Sequence, residues 1–145
     1  MSMGTCCHFA DCVGEKALEK IAGKEALDAF KEAFEKYPYQ KWEVFDGEEL
    51  ANTVCGYNPG EIDTDSAAYK ELAKKWKAVA GPVKKATGLK LYCDYHEPED
   101  AYDEVDGLFF YFETHALYKP SKELLALRKK FGKDVVERCF WSTFG

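Results

Sequence analysis

The apolar spacing changes period at residue 89, and that change constrains the fold more than any other feature of the chain. Leu89, Leu91, Cys93 and Tyr95 alternate with Lys90, Tyr92, Asp94 and His96, the pattern of a strand with one buried face. A second run, Leu108 to Leu117, is apolar on both faces through its first half, which predicts a central strand. Joined as an antiparallel hairpin, the two runs have one attractive register. Leu91 then faces Phe112, Cys93 faces Phe110 and Tyr95 faces Leu108, while Lys90 meets Glu113 and Tyr92 meets Tyr111 on the other side. Apolar groups oppose apolar groups and opposite charges meet, as cross-strand pairs prefer.

Before residue 89 the spacing is helical. Leu18 and Ile21 start an apolar stripe that Leu27, Phe30, Phe34 and Tyr37 continue in steps of three and four. Gly23 predicts a division into two helices, and Pro38 ends the second. Trp42 and Val44 suggest a short strand, Asp46 and Glu49 form a capping box opening a helix toward Cys55, and Asn58-Pro59-Gly60 is a turn. Thr64, Asp65 and Ser66 offer caps for the clearest helix, in which Tyr69, Leu72, Trp76, Val79 and Val83 share a face. Gly81-Pro82 predicts a kink or a division, and Gly88 a stop. Beyond the second strand, Pro120 to Glu123 opens a helix presenting Leu124, Leu125 and Leu127, and Val135 to Phe144 reads as a last strand.

The resulting expectation is a single α+β domain over residues 1–145. A helical N-terminal half packs on one face of a small antiparallel sheet formed by the C-terminal half. Leu72, Trp76, Leu91, Cys93, Phe110 and Phe112 are its expected core. Residues 1–13 are expected to be a loose or metal-binding segment. Length and composition agree with one globular domain: 145 residues, 46% hydrophobic and 32% charged.

No run approaches the roughly 18–20 apolar residues of a membrane span, and Met1 to Asp11 lacks a secretory signal, so a cytoplasmic protein without membrane contact is expected. Six cysteines are then expected to be reduced thiols or metal ligands. The net charge of −6 argues against direct nucleic-acid binding, which depends on cations neutralising phosphates. The charge is also unevenly placed. Residues 94–116 carry eight carboxylates and no lysine or arginine.

Two segments carry candidate chemistry. In Cys6-Cys7-His8-Phe9-Ala10-Asp11-Cys12, the Cys7–Cys12 spacing suits zinc, and His8 and Cys12 would share a face of a helix. A further ligand would come from Cys55, Cys93, His96, Cys139 or water. No second compact ligand pair accompanies this set, and no Cys-x-x-Cys motif supports redox chemistry. No cofactor is expected, zinc at this segment being the one alternative. In the acidic segment, an EF-hand alignment on Gly107 puts Tyr102 where a carboxylate is required, which rejects it and leaves only a looser calcium cluster. Phosphate-loop, nucleophile-elbow and zinc-helix motifs are absent, and His96, beside Asp94 and Glu97, is the best single candidate for a general base.

The acidic segment is also aromatic. Asp100, Tyr102, Asp103, Glu104 and Asp106 form the expected contact set for another protein with a basic surface, carboxylates setting rate and tyrosine supplying buried area. A non-enzymatic binding module, an inhibitor or adaptor, is therefore the leading reading. The rivals are a metalloprotein or enzyme centred on Cys7, His8 and Cys12, and a small-ligand domain with a pocket lined by Trp42, Trp76 and Phe110.

Overall fold

The computed structural model describes residues 5–38, 66–98, 100–112, 122–131 and 136–144. In chain order the elements are β1 (Thr5–Val13), α1 (Glu15–Ala22), α2 (Lys24–Glu35), α3 (Ala67–Thr87), β2 (Leu91–His96), β3 (Gly107–Phe112), α4 (Lys122–Phe131) and β4 (Val136–Phe144). The architecture is α+β, with helices packed on an antiparallel sheet in the order β2-β3-β1-β4.

The expected hairpin register is the observed one. Leu91 pairs with Phe112, Tyr92 with Tyr111, Cys93 with Phe110 and Tyr95 with Leu108. The anticipated Lys90–Glu113 pair lies outside the described residues, as do the elements expected between Trp42 and Gly60. β3 is central, as its two apolar faces require. One face carries Phe110 and Phe112 into the main core with Leu91, Cys93, Leu72 and Trp76. The other carries Phe109 and Tyr111 into a smaller cluster with Ala10 and Val105.

The helix signals act where they stand. Ser66 caps α3, its hydroxyl accepting from the Tyr69 amide at 3.1 Å. Gly88 ends the helix at φ 75°, a conformation that glycine adopts without steric cost. Leu72, Trp76, Val79 and Val83 form its buried face. Gly23, at φ 95°, separates α1 from α2, and Leu18, Leu27, Phe30 and Phe34 point into the core. One local expectation narrows and another needs correction. Of the kink or division expected at Gly81-Pro82, division does not occur, for α3 runs unbroken through Pro82. Leu125 is 52% exposed, and only Leu124 and Leu127 of its trio are buried, because three residues in four span more than one helical face.

The larger correction concerns the N-terminal segment. Residues 5–13 are neither loose nor helical but form a strand between β3 and β4, paired along its whole length with β4 from Thr5↔Phe144 to Val13↔Val136. Pairing with β3 runs through Asp11↔Phe112 and Cys12↔Tyr111. The sheet thus takes one inner strand from the N-terminus and three from the C-terminal half. Asp11 is fully buried on this strand, beside Phe112, and Arg128 of α4 donates to its Oδ1 at 2.9 Å. That pair fixes α4 on the same face as α3.

Among the described residues, Trp76 and Phe110 of the expected aromatic pocket pack against each other. The Trp76 and Phe110 rings stack at 6.1 Å and Phe30 sits 5.2 Å from Trp76, so these rings fill one another's space; Trp42 lies outside the described residues. Among the described residues, no helix is long and apolar enough to cross a membrane.

Candidate functional site

β2 and β3 diverge after the His96↔Gly107 pair, and Gly107 re-enters the sheet at φ 74°. The connection between them is the acidic segment, and its shape follows from short-range bonds. Asp100 Oδ1 accepts from the Tyr102 amide at 2.9 Å, the local bond that suits aspartate to turns. The Asp103 amide donates to the Asp100 carbonyl at 3.1 Å, and the Asp100 amide donates to Asp103 Oδ2 at 3.2 Å. Residues 100–103 are therefore a closed turn.

That turn is pinned to the sheet from beneath. The Asp103 side chain is fully buried and lies 3.0 Å from His96 Nε2. Ser142 of β4, itself 1% exposed, donates its hydroxyl to the same carboxylate at 2.9 Å. With the carboxylate ionised, Nε2 of His96 must carry the hydrogen between them. Two residues further on, Val105 is 6% exposed and packs with Ala10 and Phe109. One polar anchor and one apolar anchor hold the loop, the first reaching β2 and β4 and the second β1 and β3.

The outward side is the reverse. Tyr102 is 80% exposed, and Glu97, Asp100, Glu104 and Asp106 are exposed around it. The anticipated contact set divides accordingly: Asp100, Tyr102, Glu104 and Asp106 face solvent, and Asp103 does not. Its inclusion as a contact residue is corrected by its burial and by its partners on β2 and β4.

Ser142, Asp103 and His96 are the residue types of a hydrolytic triad, joined in another order. In a triad the imidazole bridges hydroxyl and carboxylate, so that it can take the hydroxyl proton. Here the carboxylate bridges the other two, and the serine hydroxyl is committed to it. His96 is only 6% exposed, with its Nε2 on Asp103 rather than on the expected Asp94 or Glu97. Asp94 instead accepts from the Tyr95 amide at 2.7 Å. This arrangement positions a loop and activates no nucleophile.

The cysteine candidates are placed apart. Along an extended strand at about 3.3 Å per residue, the Cα atoms of Cys7 and Cys12 stand roughly 16 Å from each other. A zinc ion with sulfur at about 2.3 Å cannot join them, so the helix-based reading of Cys7, His8 and Cys12 is overturned by the strand. Among the described residues, no group of three histidine, cysteine or acidic side chains is disposed to hold a metal ion. Cys93 is no nucleophile either. Burial first, then the neighbouring Asp94 charge, pushes its thiol well above the ordinary value, which keeps it protonated.

Ser142 and Val105 are the participants that sequence reasoning passed over. Val105 had a usable signal, being the one β-branched aliphatic side chain between Glu97 and Asp106. Ser142 had none, since a strand serine is ordinary until its partner is known. Comparison with protein families, with curated proteins and with solved structures yields no match.

Proposed function

We propose that this chain is a protein-binding module that docks a basic surface of a partner through the loop from Glu97 to Asp106. One observation carries the reading. The loop is anchored on its inner side by Asp103 and Val105 while Tyr102, 80% exposed, stands among carboxylates on the outer side. An exposed tyrosine on a preordered turn loses little entropy on binding, and its ring supplies contact area at the centre of an interface. The carboxylates around it steer approach and select a cationic partner. A polar loop with no role needs neither a buried carboxylate nor a serine from another strand.

The test is selection from an unbiased peptide library on the immobilised protein. Recovered sequences are expected to be rich in arginine and lysine, with association slowing as salt shortens the screening length below about 8 Å. The combined change Asp100→Asn, Glu104→Gln and Asp106→Asn, which leaves Asp103 intact, is expected to lower the association rate. Tyr102→Ala is expected to act mainly on dissociation. Recovery without basic bias, or retained binding in both variants, would sink the reading.

A further inference from the structure

The basic surface that fits this loop is present on the chain itself. α3 carries six lysines and a single glutamate. At about 100° per residue, Lys70, Lys74, Lys77, Lys84 and Lys85 fall within an arc of about 100° and extend over roughly 22 Å of the axis. The arc lies diametrically opposite the buried face of Leu72, Trp76, Val79 and Val83, and all five lysines are exposed. Glu71 stands outside the arc and pairs with Lys75 on the flank at 3.6 Å. Gly81 falls inside it and keeps its middle free of bulk. Lys84 donates to the Gly88 carbonyl, and among the described residues no carboxylate is paired with any of the five.

We infer that the lysine face of α3 is the docking site for the acidic loop of a second copy of this chain. The inference rests on the loop being a docking surface and names its partner. Charge complementarity selects the occupant: an uninterrupted cationic strip meets a loop of exposed carboxylates around Tyr102. A nucleic acid or an anionic membrane would meet the same strip on a chain of net charge −6, whose remaining surface repels it. Geometry makes the contact intermolecular. α3 covers the Phe110 face of the sheet with its lysines turned outward, while Val105 fastens the loop on the Phe109 face. One chain therefore cannot bring its own loop to its own strip. An interface built from two different patches joins copies through loop and strip in turn, so assembly grows with concentration.

Sedimentation equilibrium of the full chain at low salt is the test, with a charge swap to assign the surfaces. One variant carries Lys70→Glu, Lys74→Glu and Lys77→Glu; the other carries Glu97→Lys, Glu104→Lys and Asp106→Lys, which leaves Asp100 to hold the turn. All six positions are exposed, and circular dichroism checks that each variant is folded. The wild type is expected to gain mass with concentration and to return to the monomer as salt rises. Each variant alone is expected to weaken self-association about tenfold or more, since attraction becomes like-charge repulsion. Their equal mixture is expected to recover it, because the acidic loop of one then meets the lysines of the other. A wild type that stays monomeric throughout, or an α3 variant that still assembles, overturns the inference. So does binding of a DNA duplex or an anionic vesicle by the wild type that the α3 variant loses. If the wild type stays monomeric yet still captures basic peptides through the loop, the docking reading stands and only this assignment falls. If loop variants retain peptide binding, the reading beneath it falls as well.

Discussion

The two faces of β3 present the same parts list and put it to different uses. Among the described residues, each has an apolar cluster and one buried carboxylate. On the Phe110 face the cluster is continuous with α1, α2, α3 and α4, and the carboxylate, Asp11, is held by the guanidinium of Arg128. On the Phe109 face the cluster is small, and the carboxylate, Asp103, is held by an imidazole and a hydroxyl. The first face joins elements distant in sequence and carries the fold. The second holds one loop against its own hairpin and the last strand, so its loss should be local. A carboxylate's burial therefore says nothing of its role until its partner is known.

The contrast breaks most readily at the phenylalanines. Phe110→Ala is expected to cost about 3–5 kcal/mol, since the side chain is enclosed by Trp76 and Phe30 and the cavity cannot collapse. Phe109→Ala is expected to cost less, below about 3 kcal/mol, because loop residues can settle into the space. Denaturant midpoints compare the two, and equal losses would mean that both faces carry the fold alike.

Removing Arg128 from Asp11 comes next. Arg128→Met is expected to destabilise by about 1.5–3 kcal/mol, because it takes a charged hydrogen bond from a fully buried carboxylate, although the 29% exposure of the Arg128 side chain admits some water. Asp103→Asn keeps the shape and is expected to cost about 1–2 kcal/mol through weakened hydrogen bonds. Its clearest sign is faster hydrogen exchange of the amides over 100–106 with the amides of α3 unchanged. Global acceleration would show that the pin supports the whole domain.

The smallest effect concerns a group that meets burial by remaining neutral. Cys93 has a folded pKa raised by desolvation, and Tyr95 is raised in the same direction, by desolvation first and then by Glu97. For a raised acid the stabilising contribution is full below the unfolded value and is lost as pH rises. Stability is therefore expected to decline above about pH 8.5, the ordinary thiol value. Cys93→Val is expected to cost under about 1.5 kcal/mol at neutral pH and to flatten that decline. An unchanged alkaline slope in the variant would place its origin elsewhere.

Much of this molecule was legible in one dimension because its signals are local. Period two at 89–96, apolar doublets at Phe109 to Phe112 and a helical stripe from Tyr69 to Val83 each report the environment of a single element. Hairpin register followed from cross-strand matching, Leu91, Cys93 and Tyr95 against Phe112, Phe110 and Leu108, although Phe109 and Tyr111 on the other face would have tolerated a slip. What stayed hidden was every feature whose meaning depends on a distant partner. The end of the first strand, residues 10–13, reads poorly because both of its faces turn inward without alternating: Ala10 and the half-buried Cys12 lie on one side, Asp11 and Val13 on the other. Asp11 looks like a surface residue until Arg128, 117 positions away, is folded against it. Asp103 looks like its acidic neighbours until Ser142 arrives from β4. Periodicity records which way a side chain points along its own element, whereas a buried charge is decided by what stands opposite, and only the tertiary fold brings that group into place.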